Sequence, residues 1–363
     1  MEIYQKRLSQ VQEKINDRDL EALLIPPSTN LRYLTGYTAL PDERLLLLVI
    51  PAEGEPFFVA PELYQAHIEK TPIKEVVYWK DEDQPIQLFS DEMEKRELST
   101  GQVAVESELP ALFLLPIQQT LPNLELKLEG EIFSELRMIK DRKETELIGK
   151  AGALTDQVLS KVINGTNWVG KTERELATAL EFELKNFGMG GLSFEPIIAT
   201  GPNGASPHHK TGDTVIKENQ AVIVDFGGIY QGYCSDMSRT FYFGDPDDKF
   251  KEVYQIVKEA QQLAVDNVKP GMTAEEVDKL ARDYIEEKGY GEYFIHRTGH
   301  GLGMDCHETP YIVKGNDIEL EPGMVFSIEP GIYIPGEFGV RIEDIVVVTE
   351  NGCQAFNNYP KRL

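Results

Sequence analysis

A chain of 363 residues with 41% hydrophobic content is long enough for two domains, each burying its own core. Its 61 acidic against 36 basic residues leave a formal charge of −25, which repels phosphate backbones over most of the surface and argues against nucleic acid as a partner. Three scattered cysteines, Cys234, Cys306 and Cys353, give neither a disulfide framework nor a CxxC metal spacing.

The opening residues MEIYQKRLSQVQEKIND are polar and helical in pattern, without the apolar stretch and small-residue cleavage site of a signal peptide, so a cytoplasmic protein is expected. The longest apolar run, Leu45 to Ile50, is closed by Pro51. It is far shorter than the roughly 20 residues that cross a bilayer, and no membrane partner is expected. Between residues 1 and 131, short apolar runs (Ala22 to Ile25, Leu45 to Ile50, Phe57 to Ala60, Val103 to Val105) alternate with helical stretches and Pro-bounded turns. This pattern predicts a small α/β domain. A loop with Pro122 and Gly130 follows, and from Ser134 the segment SELRMIKDRKETELIGKAGALTDQVLSKVI keeps apolar residues at helical spacing. A second domain is therefore placed at residues 132–363.

That domain carries an internal repeat. GKTERELATALEFELKNFG at Gly170 and GMTAEEVDKLARDYIEEKG at Gly271 share Gly, Thr, Glu and Gly at an offset of 101 residues. In each copy a Thr with a Glu three positions on (Thr172 and Glu175, Thr273 and Glu276) makes a capping box, and the predicted helix stops at Gly188 or Gly289. The β-type runs NQAVIVDFGGIYQGYCSDMSRTFYFG and MVFSIEPGIYIPGEFGVRIEDIVVVTE then predict one hairpin per copy.

The hairpins carry paired carboxylates. A two-residue turn at Tyr230 and Gln231 places Asp225 opposite Asp236, and a hairpin centred on Gly336 places Glu329 opposite Glu343. Such partners have Cβ atoms about 4.5–5.5 Å apart, and a bulge would shift a partner to the other face. Asp225 ends the apolar run AVIV and Glu329 follows VFSI, so both approach a buried surface, where like charges need a counter-charge. An ion-pair network with Arg239 and Arg341 is one solution. A bound divalent cation is the stronger one, and four carboxylates with one or two imidazoles suit Mn²⁺ or related ions.

The stretch HRTGHGLGMDCHETP holds three of the six histidines. His296 and His300 have the spacing of a helical zinc site, but Gly299, Gly301 and Gly303 argue against a helix. Extended backbone instead lets both histidines share a face, with the glycines admitting a second backbone or a ligand. Read alone, His208 and His209 in the polar loop ASPHHK, and His67 on a polar helical face, are solvated histidines.

The motifs VDFGG, YCSDMSRT, GHGLG, SIEPG and GVRIED, in this order and spacing, resemble the pita-bread metallopeptidases (M24 type), which include Xaa-Pro dipeptidase, aminopeptidase P and methionine aminopeptidase. The resemblance covers nearly the whole chain, because residues 1–131 look like the creatinase-type N-terminal domain of the proline-specific branch. It implies an α/β N-terminal domain plus an α+β pita-bread catalytic domain with a pseudo-twofold internal repeat. It also implies two divalent ions per subunit, Mn²⁺ with Co²⁺ or Zn²⁺ as alternatives, held by Asp225, Asp236, His300, Glu329 and Glu343. Asp236 and Glu343 would bridge the ions, and a metal-bridging hydroxide would attack the peptide carbonyl.

By the same resemblance, Glu329 doubles as general base or proton shuttle. His208 and His307 stabilise the tetrahedral intermediate and handle protons, His296 and Arg341 line the substrate pocket, and Tyr333 lies near the metals. Where many prolidases carry Arg, four residues after the second motif histidine, this chain has Tyr311. The loop TGYTALPDERLLLLV resembles one that reaches toward an active site in bacterial prolidase dimers, so Arg44 is expected to supply the missing charge, with Asp42 and Glu43 shaping access. Together these features predict an Xaa-Pro dipeptidase acting on proline-containing dipeptides as a homodimer. An Xaa-Pro aminopeptidase is the alternative. A catalytically inactive binding module is a third reading, whose hallmark, loss of ligands, is not seen.

Overall fold

The computed structural model describes residues 2–363. The chain divides into two compact units, Met1–Leu136 and Arg137–Leu363. In the first, a six-stranded sheet has the order Glu75–Trp79, Phe57–Pro61, Leu47–Pro51, Ala22–Ile25, Gly101–Val105, Leu124–Leu128. The Ala22–Ile25 strand pairs antiparallel with Leu47–Pro51 and parallel with Gly101–Val105, so the sheet is mixed. Three of the four expected apolar runs fall wholly within strands, and the fourth, Leu45 to Ile50, enters its strand at Leu47. The two outermost strands, with burial confined largely to one end or one side chain, carry no such run and escape sequence reading.

The second unit starts differently from the continuous helical stretch expected at Ser134. One helix ends at Met138 and another begins at Arg142, capped by Asp141, whose side chain and Glu144 form a reciprocal capping box. A cap of this strength starts a new helix because it satisfies N–H groups that a continuous helix would bond internally.

Each half of this unit then repeats one plan. Helices Arg142–Gly165 and Glu173–Asn186 pack on a three-stranded sheet of Ile197–Thr200, Gln220–Phe226 and Met237–Phe243. Helices Asp248–Asn267 and Ala274–Glu287 pack on a five-stranded sheet that contains Gly299–Gly301, Val325–Ile328 and Asp344–Thr349. Both expected capping boxes form, at Thr172 with Glu175 and at Thr273 with Glu276. Each capping Thr also makes a lone antiparallel bridge, Thr172 to Val215 and Thr273 to Glu319. The mixed α/β architecture with its internal pseudo-twofold is the one expected from the sequence.

The hairpins position the carboxylates through a shared irregularity. In the first, Gln220–Phe226 pairs with Met237–Phe243, and a separate short ladder joins Ile229–Tyr230 to Tyr233–Cys234. In the second, Val325–Ile328 pairs with Asp344–Thr349, and Gly331–Ile334 pairs with Phe338–Arg341. Each hairpin leaves one sheet and enters a smaller ladder, and Asp236, Glu329 and Glu343 stand at these interruptions. An interrupted ladder bends the strand and re-aims its side chains.

The second hairpin turns about Gly336 as expected. The first turns at Gln231 and Gly232, one residue later than expected, because these two adopt the positive φ values of 47° and 91° that a tight hairpin turn of this hand requires. Asp225 therefore faces Ser238, and Asp236 becomes its diagonal neighbour on the same face.

Candidate metal centre

His300 enters the site on the short strand Gly299–Gly301, which confirms extended backbone there, whereas His296 precedes the strand in irregular chain. A Cβ on Gly299 would lie 1.8 Å from the Ser327 carbonyl oxygen, so glycine is required for this strand to press against its neighbour. That approach lets the His300 backbone N–H bond Ser327 Oγ at 3.0 Å, while its ring Nδ1 lies 3.1 Å from the Gly301 carbonyl. An Nδ1–H donated to that carbonyl leaves the Nε2 lone pair facing the carboxylates. Nε2 is 3.3 Å from Glu329 Oε1 and 3.7 Å from Asp236 Oδ2. Burial, then the neighbouring His307, hold the imidazole down to about 3, so it is neutral at any ordinary pH.

Asp236, His300 and Glu343 each offer one ligand atom within 4.8 Å of the others, and all three are buried. Asp225 and Glu329 border the same cavity, which has a volume of about 410 Å³. The acidic side chains are only partly satisfied. Glu343 Oε2 accepts from Ser238 Oγ at 2.7 Å, Glu329 Oε1 from Ser327 Oγ at 3.2 Å, and Asp236 Oδ2 from the Cys306 thiol at 3.4 Å. Asp225 Oδ2 is paired with Arg341. Among the described residues, Asp225 Oδ1, Asp236 Oδ1 and Glu343 Oε1 are buried with no hydrogen-bond partner. Buried, acceptor-only oxygens converging beside a neutral imidazole fit a divalent cation, which alone satisfies several of them at once.

The same crowding raises the carboxyls. Burial, then Asp225 and Glu329, push Asp236 well above its usual range, and burial followed by Asp236, Glu329 and Asp225 does the same to Glu343. Glu329 is pushed up to about 7, by burial first and with Asp225 adding to it against the opposing Arg341.

His208, His296, His307 and Arg341 also line the cavity. The His307 ring meets that of His300 edge-on, centroids 4.1 Å apart. Arg341 pairs with Asp225, not with Asp344 or Glu343, and Arg239 bonds Asp344 Oδ1 at 2.7 Å away from the site carboxylates. Tyr333 stands behind the wall, its hydroxyl 2.8 Å from both His296 Nε2 and Arg341 Nη1. Arg44 lies in the first unit, held by Asp81 at 3.0 Å and Glu43 at 2.6 Å.

His209 is not solvated: it bonds the fully buried Glu173 at 2.8 Å, and Glu173 also takes N–H groups of Thr200, Asn203 and Gly212, fixing the loop that bears His208. Sequence reasoning missed Glu173, Ser238 and Arg297. Only Ser238 had a signal, as the true cross-strand partner of Asp225.

The match to metallopeptidase family M24 spans residues 146–350, and that to the creatinase/prolidase N-terminal domain spans residues 7–139. The chain belongs to metallopeptidase family M24. It is similar to a probable dipeptidase PepE of Mycobacterium tuberculosis, 42% identical over 100% of this chain and 96% of that protein. It is 39% identical to the Xaa-Pro dipeptidase of Lactobacillus helveticus, with 98% of each chain covered. A prolidase from Thermococcus sibiricus superposes with a TM-score of 0.95 at 42% identity, covering 99% of this chain and 98% of that one. This M24 protein is therefore a metallopeptidase, and its family implies divalent metal ions as the cofactor. Among the described residues no helix is long and apolar enough to cross a membrane.

Proposed function

We propose that this metallopeptidase hydrolyses the Xaa-Pro bond of dipeptides, using two divalent ions, Mn²⁺ first among them. The observation that carries the reading is the set of unpartnered buried oxygens on Asp225, Asp236 and Glu343 around the neutral His300. Likeness over essentially the whole chain to proteins named Xaa-Pro dipeptidase and prolidase supports the substrate class. Asp225, Asp236, His300, Glu329 and Glu343 would hold the ions, Asp236 and Glu343 bridging them. Bound there, the ions supply a hydroxide nucleophile at neutral pH and polarise the scissile carbonyl.

The chain's own groups do the rest in this reading. Glu329, which borders the cavity with its Oε1 3.3 Å from His300 Nε2, is placed to carry a proton from water to the leaving nitrogen. His307 and His208 at the cavity edge donate to the developing oxyanion. Arg341 and Tyr333 brace Asp225 and His296, and His296 with Arg341 shapes the pocket. A cytoplasmic homodimer, with Arg44 reaching a partner's site, belongs to the same proposal.

In Mn²⁺, Ala-Pro is expected to be cleaved in preference to Ala-Pro-Ala. The reverse preference, measured as kcat/KM, would instead assign an Xaa-Pro aminopeptidase. Metal uptake is also expected to expel protons. Carboxyls raised in the metal-free site must lose them to bind, so affinity should climb as pH rises from the ordinary glutamate value of 4.5 through about 7. Titration calorimetry in buffers of different ionisation enthalpy reads the proton count directly, and zero release near pH 6 would contradict the raised carboxyls.

A further inference from the structure

The cavity presents two guanidinium groups to a substrate, Arg341 and Arg297, and they differ in how they are engaged. Arg341 is 3% exposed and already bonded to Asp225, to Tyr333 Oη at 2.8 Å and to Ser238 Oγ at 3.0 Å. Arg297 is half-buried, and among the described residues its guanidinium forms no ion pair and no side-chain hydrogen bond. What holds it is the ring of Tyr311, over which it lies 4.5 Å from the centroid.

Its backbone is fixed on both sides. Arg282 Nη2 bonds the His296 carbonyl at 2.8 Å, His296 Nδ1 is 2.6 Å from the Arg297 carbonyl, and Thr298 Oγ1 bonds the buried Asp278 at 2.6 Å. The Thr298 carbonyl in turn accepts the Glu329 N–H at 2.8 Å, which ties this segment to the carboxylate centre.

A dipeptide ends in a carboxylate one residue beyond its scissile bond, about 3.3–3.6 Å of chain. That anion must enter a cavity lined by four carboxylates, in a protein of net charge −25, so an unengaged cation at the wall is what admits it. Stacking on a ring holds the guanidinium plane while leaving its N–H edge open for a bidentate carboxylate contact.

We propose that Arg297, stacked on Tyr311, binds the C-terminal carboxylate of the dipeptide and so selects substrates that end one residue after the cleaved bond. This rests on the dipeptidase reading above. It supplies, from within the same subunit and in addition to the Arg44 expected from a partner, a charge that tyrosine at position 311 does not.

The test compares Ala-Pro with its C-terminal amide on the Mn²⁺-loaded full chain. Wild type is expected to favour the acid. In Arg297→Met the acid-over-amide ratio of kcat/KM is expected to collapse by about 10- to 100-fold, the scale of a lost charge-assisted hydrogen bond. The change should lie mainly in KM, and Arg297→Lys should recover part of the ratio. The amide reaction reports a folded, loaded site. An unchanged ratio, or an equal loss on both substrates, overturns the assignment while leaving the dipeptidase reading intact. If wild type itself prefers Ala-Pro-Ala to Ala-Pro, the dipeptidase reading fails and takes the assignment with it.

Discussion

The Asp236→Asn protein is expected to lose its divalent metal altogether and, with it, activity on Ala-Pro by on the order of 10³-fold or more. An amide is neutral and a poor cation ligand, and in the proposed arrangement Asp236 serves both ions, so one substitution empties two positions. Metal analysis of the desalted protein checks the first part and steady-state kinetics the second. Normal activity with normal metal content would refute the two-ion assignment.

The same variant carries an opposite effect on stability once metal is removed. Burial, then Asp225 and Glu329, raise the folded-state pKa of Asp236 above its ordinary value of 3.8. A carboxyl raised in this way contributes stability that is complete below the unfolded value and lost as pH rises through the folded one. At pH 8, far above the ordinary value, wild type in chelator must therefore keep that proton or hold a buried charge, a cost that the Asn variant lacks, and Asn adds N–H donors among acceptor-only neighbours. Thermal unfolding should rank the variant level with or above wild type in chelator and below it in Mn²⁺. A lower midpoint in both conditions would mean that Asp236 is a structural ion-pair partner instead.

Arg239→Met is expected to destabilise the second unit by about 3–5 kcal/mol, the scale for breaking a buried ion pair from one side. Arg239 is 1% exposed and bonds Asp344 Oδ1 at 2.7 Å and the Tyr359 carbonyl at 2.9 Å, and it also reaches the carbonyls of Ser238 and Glu343. Its removal strands those acceptors, although Lys361 and Gln261 still contact Asp344. Because Glu343 sits on this framework, metal affinity should fall as well. The two tryptophans, Trp79 and Trp168, lie one in each unit, so urea unfolding followed in a Trp79→Phe background reports the second unit by itself. A shift below about 1 kcal/mol would show that the pair is dispensable.

The sequence by itself determined what local chemistry controls. Capping boxes at Thr172 and Thr273 start helices wherever the chain goes, since their bonds close within four residues. Glycines in the stretch after His296 forbid a helix, and the symmetry of residues about Gly336 set the second hairpin's register. Alternation within the hairpins was enough to put Asp225 and Asp236 on one face even with the turn misplaced by one residue, because a shift of the turn by one residue moves the cross-strand partner by two and preserves the face. The motif resemblance supplied the family.

Only the tertiary structure decided which side chains pair across separate elements. Arg341 and Arg239 were both visible as cations near the carboxylates, yet which acid each would take depended on how the two half-units meet: Arg341 reaches Asp225, and Arg239 reaches Asp344. Glu173, an ordinary first-turn glutamate in the sequence, becomes the buried anchor of the His208 loop through His209. Arg297 and Tyr311, fourteen residues apart in a loop-rich stretch, acquire a shared position only when Gly299–Gly301 pairs with Glu308–Ile312. Periodicity and caps are written in neighbouring residues, whereas the partner of a buried charge is chosen by packing, which no local window contains.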